Sequence, residues 1–183
     1  MNLLLDAGAN VNEPSLEGFR PLHWAVSGVN DETRAQTVKL LLDRGAYVNT
    51  RTDKGFTALQ RAVQAGDADL VRVLVAHHHR NTSGSSPAPM SQCTCINADG
   101  PFSMSAIHSA VFANRGDIIQ LLLEAGADTE VRTHKAWTPL HVAARFGYVE
   151  SKVVLLQGGA NPEAVTSRGL TPADVAKKWS KQW

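Results

Sequence analysis

One short pattern returns along the chain at a nearly constant interval, and it restricts the fold more than any other feature of the sequence. Its clearest copy is Thr138-Pro139-Leu140-His141-Val142-Ala143-Ala144. Each copy opens at a helix-cap position. The cap positions are Arg20, Thr57, Ser105, Thr138 and Thr171, and the last three are 33 residues apart. The repeat is therefore about 33 residues long, and it is interrupted by two insertions, a short one within 27–35 and a longer one at 81–95.

Each copy of the pattern predicts a pair of helices. Thr138 can cap the first helix with its side-chain oxygen, and Pro139 suits the first helical position because its missing N–H costs nothing there. Gly147 supplies the turn, and a second apolar run at 149–156 predicts the second helix. Gly159 then ends that helix in the left-handed conformation that glycine adopts at little cost.

Two helices and a turn within this repeat, opening with Thr-Pro-Leu-His-x-Ala, resemble the ankyrin repeat. The resemblance covers nearly the whole chain outside the insertions. It implies an all-α fold, an ankyrin-repeat solenoid of stacked helix pairs with β-hairpin fingers. It also implies a function, which is to hold another protein on the concave face made by the fingers and the first helices.

The repeats divide the chain into segments that we interpret as one ankyrin-repeat domain spanning 1–183. The segments are a partial repeat at 1–17, repeats at 18–54, 55–80, 96–133 and 134–166, and a partial repeat at 167–183. The inserted segment 81–95 is rich in Ser, Pro and Gly and predicts a flexible exposed loop. Incomplete repeats at both ends favour truncation from a longer protein over a second chain that covers the exposed leucines.

Three departures from the pattern lead to specific expectations. Asn114 stands at the turn position held by Gly66 and Gly147, and asparagine is the residue after glycine that best tolerates a left-handed backbone. His78 stands where a helix-ending glycine is expected, so either His78 takes an awkward conformation or the helix ends elsewhere. Lys152 falls on a normally buried position and must reach outward or be paired, which predicts a looser second helix.

Composition sets limits on the cellular environment and on the class of partner. Hydrophobic residues make up 43% and charged residues 19% of the 183 residues, an ordinary globular balance. The net charge of +1 provides no general reason to expect nucleic acid or membrane as a partner. The start of the chain has no basic region of a signal peptide, and both cysteines fall in one loop. The cysteines suit a reducing compartment, so we expect the chain in the cytoplasm or nucleus. The resemblance implies that it binds another protein, and we expect it to be a monomer.

The residues that could carry chemistry point to a scaffold rather than an enzyme. His23, His108 and His141 fill the motif position, and the resemblance implies that they hydrogen-bond within and between repeats. Cys93-Thr94-Cys95 together with 77–79 has poor spacing for zinc. No nucleophile, base and orienting group occur together outside the repeats. The sequence predicts no enzymatic activity, no catalytic residue, no cofactor and no metal.

Apolar residues directly before the helix caps predict a binding surface. The resemblance implies that these residues, and two positions late in each first helix, face the concave side. The predicted partner-binding residues are Phe19, Phe56, Met104, Phe112, Lys135, Trp137, Arg145, Phe146 and Trp179. Trp137 and Phe146 are expected to be the central anchors, with Phe112 beside them and Lys135 and Arg145 on the rim. Alternatively, the residues before the caps pack between neighbouring fingers.

Basic residues at the finger tips leave a further choice open. They form either a ridge for an acidic partner or solvated hairpin ends, and they are Arg51, Lys54, Arg132, His134, Lys135 and Arg168. The sequence favours a non-enzymatic protein–protein interaction scaffold. The alternative is a regulatory or targeting module truncated from a larger signalling protein or enzyme. Nucleic-acid binding through the fingers would show as a steep salt dependence.

Overall fold

The computed structural model describes residues 6–28, 32–81 and 96–180. Its α-helices are α1 Pro21–Ser27, α2 Glu32–Asp43, α3 Ala58–Gln64, α4 Ala68–Asn81, α5 Ala106–Phe112, α6 Gly116–Glu124, α7 Pro139–Phe146, α8 Val149–Gln157 and α9 Pro172–Ser180. A short 3-10 turn spans Pro101–Ser103. Within the described residues the only β structure is an isolated bridge between Arg51 and Thr57. The predicted all-α class is confirmed.

The chain forms two compact units, one within residues 1–87 and one within 88–183, and each is described by itself. In the first unit α1 packs against α3, and α2 packs against α4. In the second unit α7 packs between α5 and α9, while α6 packs against α8. Each unit is thus a stack of helix pairs, which confirms the repeat architecture. Assembly of all repeats into one domain stays a prediction.

The first helices begin where the sequence predicted, because the cap residues satisfy exposed backbone groups. Thr57 precedes α3 with an extended backbone, and its side chain accepts a hydrogen bond from the N–H of Gln60 at 3.2 Å. The amide oxygen of Gln60 accepts in return from the Thr57 N–H at 3.0 Å. Pro139 takes the first position of α7 after Thr138.

The turns between paired helices use a left-handed residue. Gly66 and Gly147 both have φ of 69° there, and Asn114 has φ of 50°. The prediction for Asn114 is confirmed. Its side-chain oxygen also accepts a hydrogen bond from the Ser151 hydroxyl at 2.9 Å, which satisfies a polar group that is buried on α8.

Small residues allow the second helices of the second unit to approach closely. A Cβ atom added at Gly158, directly after α8, would lie 2.6 Å from the Cδ1 atom of Leu123. Ile118, Ile119 and Leu122 of α6 are fully buried. The core of this unit therefore lies between α5–α6 and α7–α8, where aliphatic side chains are removed from water.

The predicted hairpin fingers are tight turns rather than strand pairs within the described residues. Each turn is closed by a backbone hydrogen bond from a residue to the carbonyl four positions later. The closing pairs are Ser15–Phe19, Thr52–Phe56, Gly100–Met104, Thr133–Trp137 and Thr166–Leu170. The turns hold the residue before each cap at the base of a finger.

Two expectations about helix ends and loops are resolved by the structure. Helix α4 continues through His78 and ends at Asn81. Of the two alternatives for His78, the structure therefore shows the one in which the helix ends at another residue. Asn81, the first residue of the predicted loop at 81–95, is helical, and 82–95 lie outside the described residues. So do Cys93, Cys95 and the leucines at the start of the chain.

Lys152 is exposed on α8. Of the apolar run predicted for this helix, Leu155 is fully buried. Val149 and Val153, in contrast, are 72% and 46% exposed. Lys152 therefore reaches solvent, as predicted, without having to displace a core side chain.

Candidate functional site

The guanidinium group of Arg145 lies among three aromatic rings of the second unit. Its Cζ atom is 5.5 Å from the ring centroid of Trp137, 5.4 Å from that of Phe146 and 5.5 Å from that of Trp179. Each contact at an exposed site contributes about 0.5–1 kcal/mol. Three such contacts hold the Arg145 side chain in place, and no described residue forms an ion pair with it.

Ring–ring contacts extend this group. Trp137 and Trp179 meet edge to face with centroids 5.9 Å apart, and Phe112 meets Phe146 in the same way at 5.4 Å. Tyr148 stacks on Phe146 at 5.5 Å with 18° between the ring planes. We call the connected set the Arg145 cluster, and its members are Phe112, Trp137, Arg145, Phe146, Tyr148, Lys178 and Trp179.

Repeat geometry brings these side chains together. Arg145 and Phe146 end α7, while Lys178 and Trp179 stand at the equivalent positions of α9. Because α7 and α9 pack against each other, residues at equivalent positions become neighbours. Trp137 joins them from the finger that precedes α7.

Charge and exposure distinguish this cluster from a buried core. Phe112 and Phe146 are 42% and 44% exposed, and Arg145 and Lys178 are exposed. The Nζ atom of Lys178 lies 5.2 Å from the ring centroid of Trp179, the indole that Arg145 also contacts. Among the described residues, neither cation has a hydrogen-bond or ion-pair partner. The result is an aromatic surface with two accessible positive charges.

Arg145 and Lys135, both predicted for the rim of the binding site, lie in different surroundings. The sequence placed Arg145 on the rim beside Lys135, but the guanidinium is at the centre of the rings. Lys135 is exposed at a finger tip and has no aromatic contact among the described residues. Its backbone carbonyl accepts from the N–H of Ser167 at 3.2 Å, which orients the finger rather than the cluster.

The remaining predicted site residues lie outside the cluster. Phe19 in the first unit is 9% exposed, packs on Trp24 with centroids 4.8 Å apart, and lies 5.1 Å from the Arg61 guanidinium. Phe56 of the same unit and Met104 of the second unit are half-buried. That all nine predicted residues form one surface stays a prediction.

Sequence reasoning missed Tyr148 and the role of Lys178. Tyr148 follows the turn glycine and carried no spacing signal. Lys178 precedes Trp179 as Arg145 precedes Phe146, and this parallel was the available clue. The partnership of Trp24 and Arg61 with Phe19 was also missed, since it depends on α1 packing against α3.

The motif histidines are hydrogen-bonded at both ring nitrogens. The Nδ1 atom of His141 accepts from the Thr138 N–H at 3.2 Å, so Nε2 carries the proton and donates to the Leu170 carbonyl at 3.0 Å. His108 makes the equivalent bond to the Trp137 carbonyl at 3.1 Å. The scaffold role implied for these residues is confirmed.

Burial keeps these histidines neutral. It lowers the pKa of His108 from 6.5 to about 4, against the smaller raising effect of its bond to the Trp137 carbonyl. Burial likewise lowers the pKa of His23 and His141. A buried imidazole with both nitrogens engaged is poorly placed to transfer a proton to a substrate.

Comparison with known families decides the classification. A family model described as ankyrin repeats (3 copies) matches residues 1–85 and 87–166, most of the 183 residues. The chain belongs to the ankyrin repeat family. The recognition made from the repeat period and motif is confirmed.

Individual relatives match shorter stretches of this ankyrin chain. It is 40% identical over 48 residues to protein phosphatase 1 regulatory subunit 27 of Homo sapiens, covering 26% of this chain and 31% of that protein. It is 38% identical over 60 residues to NF-kappa-B inhibitor alpha of Sus scrofa, covering 33% and 19%. It is 35% identical over 83 residues to tRNA endonuclease ANKZF1 of Homo sapiens, covering 45% and 10%. The chain therefore spans less than a third of each relative.

A groove beside the cluster offers little chemistry. It has a volume of about 260 Å³ and lies between α7, α8 and α9 of the ankyrin stack. Its lining is mainly alanine, leucine, valine and proline, and contains no serine, cysteine or histidine. Across the described residues there is no group of three or more His, Cys, Asp or Glu that could hold a metal ion. None of the helices described here has the length and apolar character needed to span a membrane.

Proposed function

We propose that this ankyrin protein is a non-enzymatic scaffold that binds another protein through the Arg145 cluster. The observation that supports the proposal is a connected group of five aromatic rings, two of them exposed and three half-buried, with the exposed Arg145 guanidinium near three of the rings. Aromatic residues and arginine dominate the binding energy of protein interfaces, because they bury large areas and retain a polar group. Five of the cluster's seven members lie on the first helices, the side that the ankyrin resemblance implies for partner binding.

A regulatory or targeting role within a larger protein is the second candidate. It is favoured by the relatives, of which one is named a phosphatase regulatory subunit and another an inhibitor. Both candidates use the same binding surface, and they differ in whether an activity lies elsewhere. We place either role in the cytoplasm or nucleus and propose that the chain acts as a monomer.

The test is a double variant, Trp137→Ala with Phe146→Ala. The native chain and the variant would each be immobilised to capture proteins from a cell extract, and a captured protein would then be purified for titration calorimetry. We expect the variant to lose about 2 kcal/mol or more of affinity, roughly 30-fold. The matched control is Val149→Ala with Val153→Ala, two exposed apolar residues of α8 outside the cluster.

The control should bind like the native chain, and circular dichroism should show that both variants remain folded. Normal binding by the Trp137 and Phe146 variant would reject the proposal. So would a loss of binding that unfolding of the variant fully explains.

A further inference from the structure

The two cations of the Arg145 cluster lack anions within the described residues. Three carboxylates of the same unit have partners outside the cluster. Asp117 pairs with Arg115 at 2.6 Å, and an oxygen of Asp174 accepts from the Thr171 hydroxyl at 2.8 Å. Glu130 accepts from the N–H of Asn161 at 2.9 Å.

Ring contacts prepare Arg145 for hydrogen bonding. A guanidinium that lies over aromatic rings keeps the N–H groups at its edge available, and these match the two oxygens of a carboxylate. The three rings restrict the side chain before any partner arrives, so little further rotamer entropy is lost on binding. Lys178, on the same indole, adds a second positive charge near the same place.

An apolar area adjoins the charges. Phe112 and Phe146 meet edge to face and remain more than 40% exposed. A large apolar side chain that covered both rings would remove this area from water. Charge and apolar area therefore stand side by side on one surface.

We propose that the Arg145 cluster binds a protein segment in which an Asp or Glu stands close to a large apolar residue. The carboxylate binds Arg145 and Lys178, and the apolar side chain covers Phe112 and Phe146. This rests on the proposed function of the cluster as a protein-binding surface. It adds the chemical class of the partner.

Two other kinds of partner fit the cluster less well. Single-stranded nucleic acid binds such platforms by stacking bases on free ring faces. Here Arg145 already lies over Trp137, Phe146 and Trp179, and Tyr148 stacks on Phe146. A cationic segment would have to displace Arg145 while approaching Lys178, so charge complementarity selects an acidic partner.

The experiment is selection of random peptides displayed on phage against the full native chain. The most enriched peptide would be synthesised with a fluorophore and measured by anisotropy against the native chain, Arg145→Gln and Lys152→Gln. The control Lys152→Gln removes the same charge from an exposed position of α8, outside the cluster. We expect binding to weaken at least about tenfold for Arg145→Gln and to stay within about twofold for Lys152→Gln.

The sequence of the selected peptides provides a second readout. We expect Asp or Glu near Phe, Leu or Trp, and a similar loss when that acidic residue is replaced by its amide. Native-like binding by Arg145→Gln, or peptides without acidic residues, would overturn the inference. Sensitivity to Trp137→Ala with Phe146→Ala would then still uphold the proposed function.

The remaining outcomes separate the two proposals further. If the selected peptide binds the Trp137 and Phe146 variant as it binds the native chain, the proposed function fails as well. Failure to enrich any peptide counts against both. Displacement of the peptide by oligouridine, with stronger binding of the oligonucleotide, would assign the cluster to nucleic acid and overturn the acidic-segment assignment.

Discussion

Helix α1 of the first unit and helix α7 of the second unit begin with different cap chemistry. Thr138 places its hydroxyl 2.8 Å from the Nδ1 atom of His141. Arg20 has no side-chain oxygen. Its guanidinium donates to the carbonyl of Asn12, and its buried Nε atom has no hydrogen-bond partner among the described residues. In both helices the backbone N–H of the cap residue still donates to a histidine, at 3.1 Å to His23 and 3.2 Å to His141. In these two helices the bond from the cap N–H to the histidine is therefore kept, whereas the cap hydroxyl is not.

The residue directly before the second helix of a pair also differs in chemistry between α4 of the first unit and α8 of the second. Asp67 accepts from the N–H of Leu70 at 2.9 Å, which caps α4, and forms an ion pair with Arg34. Tyr148 precedes α8, has no carboxylate, and instead stacks on Phe146. This position thus stabilises the first unit through charge, whereas before α8 it contributes a ring to the Arg145 cluster.

Among the substitutions considered for the two units, Asp67→Ala should lower the free energy of unfolding the most. The side chains of Arg34 and Asp67 are only 7% and 15% exposed, so the variant removes a carboxylate that a buried guanidinium contacts. We expect the free energy of unfolding to fall by about 3 kcal/mol or more, measured by urea titration. Arg34→Met combined with Asp67→Leu should recover much of that loss. Tyr148→Ala, at the equivalent position of the second unit, provides the comparison. If Asp67→Ala lowers the free energy of unfolding no more than Tyr148→Ala does, the ion pair is not the main support of the first unit.

Acid should destabilise the second unit more than the first through His108. Its pKa is about 4 in the folded chain and near 6.5 when unfolded, so the unfolded state binds the extra proton as pH falls. The stabilisation is complete above about pH 6.5 and is lost as pH falls to about 4, which amounts to roughly 3 kcal/mol. Gln60 fills the equivalent position in α3 of the first unit and does not titrate in this range.

Exchanging these two residues tests the pH dependence directly. His108→Gln should flatten the loss of stability between pH 7 and pH 4, because a glutamine amide makes the cap bond in α3. Gln60→His should steepen it. Thermal melting of both variants across that range provides the measurement. An unchanged slope in His108→Gln would show that another group dominates the acid response.

Much of the fold could be predicted because it depends on spacing. The left-handed turn at Asn114 and the bonds of the motif histidines follow from equivalent positions in each repeat. The centre of the Arg145 cluster could not be predicted in this way. Whether Arg145 points to the rim or between Trp137 and Trp179 depends on side-chain rotamers, which the repeat spacing does not determine.

The end of α4 shows a second limit of spacing. Without a glycine at His78 there was no signal for where the helix stops, and it continues to Asn81. Tyr148 shows a third limit. An aromatic residue at a position that usually caps a helix can be assigned to a surface only once its neighbour Phe146 is placed.

The finger turns offer the smallest and most closely matched contrast. Gly55 in the first unit and Ala136 in the second occupy equivalent turn positions with φ of 82° and 55°. Each donates a 2.8 Å hydrogen bond to the carbonyl three residues earlier. Alanine is strained in this left-handed region because its Cβ approaches the following carbonyl, whereas glycine is not.

Ala136→Gly should therefore stabilise the second unit by about 0.5–1 kcal/mol, since relief of strain exceeds the greater flexibility of glycine in the unfolded chain. Gly55→Ala should cost about 1 kcal/mol in the first unit through backbone strain alone, because an added Cβ there meets no atom within 4 Å. Thermal melting of the two variants beside the native chain provides the comparison. A lower melting temperature for Ala136→Gly would mean that packing of the Ala136 methyl group stabilises the finger by more than the backbone strain costs.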